Sequence, residues 1–314
     1  MDHHGPFDIR VPFTRQQGLA AGLTDHQLQG TSFRRLFQGV YAAAGAPMTP
    51  AAWVQAARLI APADAFAAHQ SAARLLGAVV PDCASTHLGT ASARQSRVRG
   101  LHLHRYAARP TLLRVLGQPC TGPVRTFRDL AGTIELVDLV VLGDSLVRRG
   151  WVSPGDLAAG VVAAGPGSVP AARAAAYLRA GVDSGPESRL RMLFVLAGLP
   201  EPVVAHEVGD RLGRPRRLDL AWPVVKVAAE YDGRHHIERE GQWRQDLARR
   251  EDLEHDGWRF VVVTGPDLFR TPGATLERTV RALAAAGLVV PRRRHDWRAF
   301  FPERGDYLGA VAPH

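Results

Sequence analysis

The sequence predicts a mainly helical N-terminal part followed by an α/β C-terminal domain with a mixed sheet flanked by helices. Three observations support this fold class. Helix-capping motifs and helical spacing of apolar residues dominate roughly the first 180 residues. A Gly- and Pro-rich segment, residues 181–186, is the clearest boundary in the chain. After it, helical patterns and apolar β-branched runs follow in the order α-β-β-β-α-β, which predicts a sheet covered by helices.

Two capping boxes near the N-terminus predict two short helices. In such a box a hydroxyl covers a free backbone amide, and the residue three positions later reaches back to the start of the helix. Thr14 with Gln17 and Thr24 with Gln27 have this spacing. We therefore expect helices over about residues 14–21 and 24–30.

A basic segment at residues 34–41 follows the two predicted helices. A helix, a turn, a second helix and a wing form the outline of a winged-helix-like module, one of the ways in which proteins dock on DNA, and we assign it to residues 1–48. Arg34 and Arg35 are its candidate DNA contacts, since guanidinium groups bind phosphate well. A small helical cap without a ligand explains the same pattern equally well.

Residues 49–182 are predicted to form a mainly helical middle region with short strands. Thr49 and Pro50 are the residue types of an N-cap and a first helical position, and a second helix is expected through His69 and Leu75. We assign His69 to capping or packing instead of catalysis, because no partner group lies near it in the sequence.

The composition favours a polyanionic partner in a reducing compartment. The chain has 314 residues, a net charge of +9 and a pI near 10.6, and Lys226 is its only lysine, so the positive charge is almost all arginine. Cys83 and Cys120 are too few for a disulfide framework or a zinc cluster. The polar start lacks a signal-like region, and no apolar stretch has the length of a membrane span. We expect a cytoplasmic protein that binds DNA and no membrane, and the sequence leaves its oligomeric state open.

Carboxylates interrupt two otherwise apolar segments within residues 217–233. Asp219 lies between two leucines and projects opposite to both, whereas Glu230 and Asp232 follow an apolar run and project together. If the two segments pair as a hairpin, Asp219 and Glu230 converge at one end. Buried carboxylates are costly unless a cation compensates them, and hard oxygen ligands suit Mg²⁺ or Mn²⁺.

Several C-terminal residues carry a resemblance to a known nuclease superfamily. They are Glu187, Asp219, Glu230, Tyr231, Asp232, Gly233, His235, His236, Asp246, Gly257, Trp258 and Arg259. Together with the order of elements, they resemble the PD-(D/E)XK nuclease superfamily and, within it, the uncharacterised-domain family related to very short patch repair (Vsr-like) endonucleases. The resemblance covers about residues 184–288, and we set the domain at 183–290.

The N-terminal segment resembles a second family. The residues that carry this resemblance are Phe13 to Gln17, Gly22, Leu23 and Gly39 to Tyr41. They are similar to the N-terminal winged helix of AbiEi-type antitoxins, a resemblance that covers about the first 45 residues. It implies DNA binding, often autoregulatory.

The nuclease resemblance implies Mg²⁺-dependent hydrolysis of phosphodiester bonds. Asp219, Glu230 and the backbone carbonyl of Tyr231 would hold the ion, which polarises a phosphoryl oxygen and lowers the pKa of the attacking water. In most of the superfamily a lysine two residues after the glutamate orients that water, whereas Asp232 stands there in this sequence. Asp232 would be a further ligand, a turn residue or a sign of lost activity.

The remaining site assignments follow from the same resemblance. In the repair-like branch a histidine is expected to assist, so we assign His236, or His235, as general base or acid. Glu187 is a candidate catalytic residue, although its place three residues after a serine explains it equally well as part of a capping box. Arg244 and Arg249, largely on the outer face of the next predicted helix, are candidate DNA contacts.

We therefore expect a Mg²⁺- or Mn²⁺-dependent DNA endonuclease with an N-terminal DNA-binding module. The alternative is a DNA-binding regulator or antitoxin-like protein whose nuclease fold is degenerate and inactive. Residues 291–314 interleave basic and aromatic side chains, which either follow a phosphate backbone, with Trp297 stacking on a base, or form a packed or frayed tail.

Overall fold

The computed structural model describes residues 7–93, 95–161, 165, 167–209, 213–233 and 250–302. The chain divides into two compact units. Unit 1 consists of Met1–Ile134 and Gly155–Arg173, and unit 2 of Glu135–Pro154 and Ala174–His314. The Gly- and Pro-rich segment at 181–186 therefore lies within unit 2.

Unit 1 begins with the two short helices that the capping boxes predict, and the basic segment lies in an antiparallel hairpin. Both capping boxes are confirmed, because each threonine accepts from the backbone amide of its glutamine and the glutamine side chain accepts from the threonine amide. The three strands pair in the order β1-β3-β2, all antiparallel. The elements are β1 (Phe13–Thr14), α1 (Arg15–Ala20), α2 (Asp25–Gln29), β2 (Phe33–Phe37) and β3 (Val40–Ala43).

The rest of unit 1 is mixed α/β, so the prediction of a mainly helical N-terminal part was wrong. Five strands form one sheet in the order β6-β5-β4-β8-β7, in which both parallel and antiparallel pairs occur. The elements are α3 (Pro50–Arg58), β4 (Phe66–Ala67), α4 (His69–Leu75), β5 (Thr86–Thr90), β6 (Leu101–Arg105), β7 (Leu112–Val115), β8 (Gln118–Thr121) and α5 (Pro123–Leu130).

The central strand β4 shows why the sequence did not predict this sheet. It is only two residues long, and Phe66 and Ala67 are both fully buried, so neither a period of two nor a period of 3.6 distinguishes it from the helical patterns on either side. Thr49 is the N-cap of α3, as predicted.

Unit 2 confirms the predicted order α-β-β-β-α-β and a mixed sheet flanked by helices. The strand order is β12-β11-β10-β9, with β11 and β12 parallel and the other pairs antiparallel. The elements are α6 (Leu136–Arg148), α9 (Gly185–Leu196), β9 (Val203–Gly209), β10 (Pro215–Trp222), β11 (Val227–Asp232), α10 (residues 250–255), β12 (Arg259–Thr264), α11 (Gly265–Phe269) and α12 (Pro272–Ala285). Helices α7 (Pro154–Gly160) and α8 (Ser168–Ala175) lie where the chain changes unit.

A buried ion pair joins α6 to α9 within unit 2. Arg191 is fully buried, and its Nη2 lies 3.0 Å from Oδ2 of Asp144 and 2.7 Å from the carbonyl of Tyr177. Ser188 and the amide of Arg179 also donate to Asp144, at 2.8 and 2.9 Å. These bonds compensate two charges that would be costly to bury alone, and they explain why α6 belongs with the C-terminal helices.

Strand β11 begins three residues later than the apolar run suggested. Pro223–Val225 form a 3₁₀ turn, and Lys226 has a left-handed backbone with φ of 50° before the strand starts at Val227. Val224 is 94% exposed, so the run of β-branched residues was a poor guide to burial at its start.

The tail packs onto unit 2 at Trp297 and Phe301, which are both buried. Trp297 is 3% exposed in a short 3₁₀ helix beside α9, and Arg298 lies over its ring at 5.0 Å. The packed-tail interpretation therefore holds for this part, since the indole is not available to stack on a base. In the part of the chain that the structure describes, no helix has both the length and the apolar content needed to cross a bilayer.

Candidate functional site: a carboxylate cleft in unit 2

Asp219 and Glu230 converge at one end of the hairpin formed by β10 and β11. The antiparallel register pairs Leu220 with Ala229. Asp219 precedes Leu220 and Glu230 follows Ala229, so continuing this register brings the two acids opposite each other on neighbouring strands. The backbone amide of Tyr231 donates to Oδ2 of Asp219 at 3.1 Å. The hairpin that the alternation of Asp219 and the two leucines predicts is therefore present.

These acids line a cavity of about 560 Å³ beside the two central strands of the sheet. Its wall combines three acidic residues and three arginines with apolar residues such as Leu253 and Phe260. The charged residues in the wall are Asp219, Glu230, Asp232, Arg216, Arg217 and Arg250.

Burial and neighbouring negative charges raise the pKa of Asp219 to about 7. Burial has the largest effect, followed by the charge of Glu187; Glu230 and Asp183 add to it, and the hydrogen bond from Tyr231 opposes them. A carboxyl group in such surroundings gains a proton readily or holds a cation, and strongly shifted groups of this kind cluster at functional sites.

Glu187 acts as part of a helix cap. Its Oε1 accepts from Oγ of Ser184 at 2.7 Å, its Oε2 accepts from the amide of Asp183 at 2.9 Å, and Ser184 accepts from the amide of Glu187. The capping role that the sequence suggested for Glu187 is therefore present. Glu187 also contributes negative charge near Asp219.

Asp232 is the last residue of β11 and lines the cavity. It pairs with Thr264 in the parallel ladder, so it belongs to a strand and not to a turn. Lys226 does not take over the role of the missing lysine, because it precedes the opposite end of β11 and its Nζ donates to the carbonyl of Asp256 at 2.8 Å.

Arg250 is a site residue that the sequence did not single out. Its Nη2 lies 3.4 Å from Oε2 of Glu230, and its guanidinium lies 5.6 Å from the centre of the Phe260 ring. Its Nε is buried and has no hydrogen-bond partner among the described residues. A buried donor without a partner in a cleft is suited to an anionic ligand. Twenty residues separate Arg250 from Glu230, so no local motif marks the pair.

Four of the predicted site residues lie outside the described residues. They are His235, His236, Arg244 and Arg249.

The two predicted DNA contacts of unit 1 have different surroundings. Arg34 is partly buried and donates through Nη2 to the carbonyl of Ala46, so it holds the local chain together. Arg35 on the same strand is exposed.

The carboxylates fit a divalent ion of the Mg²⁺ type. Among the described residues, no group of three or more His, Cys, Asp or Glu side chains is arranged as a metal site. Mg²⁺, however, usually binds one or two carboxylates and completes its shell with water and substrate phosphate. Asp219 and Glu230 would supply two hard oxygen ligands, and a cation would offset the burial and the neighbouring charges that raise the pKa of Asp219.

Comparisons with known proteins show relatives without a described activity. The chain is 27% identical over 276 residues to the proteins titled "Uncharacterized protein MT2308", from Mycobacterium tuberculosis strain CDC 1551 / Oshkosh, and "Uncharacterized protein Rv2248", from strain ATCC 25618 / H37Rv. Each alignment covers 87% of this chain and 98% of the relative. No family model and no solved structure matches the chain.

Proposed function

We propose that unit 2 is a Mg²⁺- or Mn²⁺-dependent DNA endonuclease. The observation that carries the proposal is the Asp219 and Glu230 pair, held on neighbouring strands beside a cleft in a basic protein, with the pKa of Asp219 raised to about 7. The fold agrees with the PD-(D/E)XK resemblance at the level of a mixed sheet flanked by helices. The resemblance itself and the winged-helix assignment of residues 1–48 are part of this proposal.

Asp219, Glu230 and Arg250 each have a role in this proposal. Asp219 and Glu230, with the carbonyl of Tyr231, would hold the ion, which when bound supplies polarisation of a phosphoryl oxygen and a water of lowered pKa. Asp219 would have to be deprotonated to serve as a ligand, so raising the pH would favour binding of the ion. Arg250, which lines the cleft and pairs with Glu230, would supply positive charge beside the phosphate. His236 or His235 transfers the proton of the attacking water.

Plasmid cleavage tests this function. Purified protein is expected to nick or cut supercoiled plasmid with Mg²⁺ or Mn²⁺ and not with a chelator. Asp219→Asn and Glu230→Gln are each expected to lower the rate about a thousandfold, since each removes a ligand oxygen's charge at the point where phosphoryl charge develops. Glu251→Gln is the matched control, because Glu251 is an exposed acid on α10 that does not line the cleft.

Two results would contradict the endonuclease. One is cleavage that survives both substitutions, which would indicate a contaminating nuclease. The other is a protein that cuts no DNA with either metal and also fails to bind the metal.

The second candidate is a DNA-binding regulator or antitoxin-like protein. The observation that favours it is Asp232 at the position where the resembling nucleases carry lysine. This candidate predicts DNA retention without cutting, weakened by Arg35→Ala and unchanged by Asp219→Asn. Gel shifts on the promoter of its own gene measure it, and binding that depends only on substitutions in unit 2 would count against it.

A further inference from the structure

A cysteine and four histidines form a cluster in unit 1, far along the chain from the carboxylate cleft. His69 is the first residue of α4, His87 lies on β5, and His102 and His104 lie on β6. The parallel register of β5 and β6 pairs His87 with His102 and places His104 two residues further along. No partner of His69 was evident from the sequence, because its neighbours come from distant strands.

Three of these side chains are connected in a line. Sγ of Cys83 lies 3.3 Å from Nε2 of His87, and Nδ1 of His87 lies 2.9 Å from Nε2 of His104. With Nδ1 of His87 protonated and donating to His104, its Nε2 is free to accept the thiol proton. A nucleophile, a base and a third group that orients the base form the arrangement on which nucleophilic catalysis depends.

Neighbouring groups hold His87 and His104 in place. The ring of His104 stacks on His69 at 3.7 Å with the planes 20° apart, and the ring of His87 stacks on His102 at 5.0 Å. His69 has φ of 50°, a left-handed conformation that costs energy in a residue other than glycine and is found preferentially at functional sites. The amide of His87 donates to Oγ of Ser71 at 2.8 Å, which fixes its backbone.

Cys83 lies at a cavity, and the residue proposed as its base is not among the cavity's lining residues. Cys83 lines a cavity of about 350 Å³, a size typical of small-molecule sites, whereas His87 is not part of the wall. Met48, Pro50 and Trp53 give the cavity an apolar side. Arg74 also lines it and donates to the carbonyl of Cys83 at 3.0 Å, which anchors the segment that carries the thiol.

We propose that Cys83 is a nucleophile that accepts the acyl group of a small apolar ester, with His87 as its general base and His104 as the residue that positions His87. This inference does not depend on the nuclease function of unit 2. Burial lowers the pKa of His87 to about 4, so the imidazole is neutral at neutral pH, and its Nε2 lies 3.3 Å from Sγ of Cys83.

The reaction balances with water as the co-reactant. As Sγ bonds to the ester carbonyl carbon, the thiol proton moves to Nε2 of His87. The bond from that carbon to the leaving oxygen breaks, and the imidazolium gives its proton to this oxygen, so a thioester and an alcohol form. Water then attacks the thioester with His87 again as base, which releases a carboxylic acid and restores the thiol.

Acylation by p-nitrophenyl acetate and alkylation by iodoacetamide at pH 7 test the site in the full-length protein. Peptide mass spectrometry is expected to find an acetyl group on Cys83 and none on Cys120, which is fully buried. We expect Cys83 to be alkylated roughly 10- to 100-fold faster than glutathione, and His87→Gln to remove that advantage. His26→Gln, an exposed histidine on α2, is the control and should leave both rates unchanged.

The positioning role of His104 needs a pair of variants. His104→Gln keeps a hydrogen-bond acceptor for His87 and should retain most of the reactivity, whereas His104→Phe keeps a ring to stack on His69 and should lose it. This pair decides the matter if His87→Gln does not fold, which circular dichroism would show. The proposal is overturned if Cys83 reacts no faster than glutathione, if no acetyl group forms on it, or if the two His104 variants behave alike.

Discussion

Asp219 combines a structural cost with a chemical use. Its pKa is raised from 3.8 to about 7, so the stability it contributes is fully present below pH 3.8 and is lost as the pH rises through 7. Because Asp219 is partly exposed, solvent screens this effect, and the stability lost when Asp219 ionises is about 1–2 kcal/mol. The carboxylate thus destabilises the fold under the conditions in which it would bind a cation.

Because the ionised Asp219 destabilises the fold, we expect the protein to become more stable when this charge is removed by substitution or compensated by a bound metal ion. Asp219→Asn should raise the free energy of unfolding by about 1–2 kcal/mol at pH 8 and change it little at pH 4. Mg²⁺ should raise the melting temperature of the unsubstituted protein and not that of the variant, because binding stabilises only a state with both ligands. Thermal melts at both pH values, with Glu251→Gln as control, measure this; equal Mg²⁺ shifts in all three proteins would contradict the site.

The histidine cluster predicts acid sensitivity of unit 1. Burial lowers the pKa of His69 to about 3 and that of His87 to about 4, with the neighbouring histidine charges acting in the same direction. The unfolded chain takes up protons below about pH 6.5, so the stability from these groups is complete above that pH and is lost as the pH falls towards 4. His69→Phe should flatten the fall between pH 6.5 and 4 by up to about 1.4 kcal/mol per pH unit.

Urea unfolding at several pH values compares this variant with the unsubstituted protein. Carboxylates titrate equally in both, so the difference isolates His69. His26→Gln, whose side chain is exposed, should leave the pH dependence unchanged. An identical slope in His69→Phe and the unsubstituted protein would mean that the buried ring is not kept neutral.

At the scale of elements, the cap of α9 includes Glu187, whose charge also acts on Asp219 in the cleft. Glu187→Gln and Ser184→Ala should each lower the free energy of unfolding by about 1 kcal/mol, since each breaks the cap. Cleavage should stay within roughly threefold of the unsubstituted rate at its optimum, because both Glu187 oxygens are engaged in the cap. Denaturant melts and plasmid assays measure this, and a hundredfold loss of cleavage confined to Glu187→Gln would make Glu187 a catalytic residue.

Elements were predictable where the signal is local. The capping boxes at Thr14 and Thr24 and the N-cap at Thr49 lie within four residues of the groups they bond, so the sequence alone specifies them. The same holds for the hairpin that brings Asp219 to Glu230. Strand β4 was missed because its identity depends on strands that pair with it from elsewhere in the chain.

The residues of the candidate sites were likewise predictable where the signal is local and not where distant segments meet. The acids of the hairpin were found from spacing, whereas Arg250 was not, because its partner Glu230 lies twenty residues earlier. The line of Cys83, His87 and His104 depends on a parallel strand pair and on a cavity wall, and neither leaves a periodic trace in the sequence.

At the scale of the whole molecule, the Arg191–Asp144 pair ties residues before residue 154 to the C-terminal unit. Arg191→Met should lower the free energy of unfolding by about 3–5 kcal/mol, because it leaves Asp144 buried without its cation. Arg189→Met on the same helix is the matched control and should cost less than about 1 kcal/mol, since its pair with Asp138 is partly exposed. Equilibrium unfolding measures both, and equal losses would show that burial of the pair does not matter.

Helices α6 and α9 both belong to unit 2 but are synthesised at different times. Helix α6 leaves the ribosome well before α9, whose last residue follows the end of α6 by roughly 50 residues, so at 5–20 residues per second the wait is about 2–10 s. During that time the apolar side of α6 that α9 later covers has no partner, and Asp144 has no guanidinium. The nascent chain therefore passes through a stage at which a chaperone that shields apolar helices would increase the yield of folded protein.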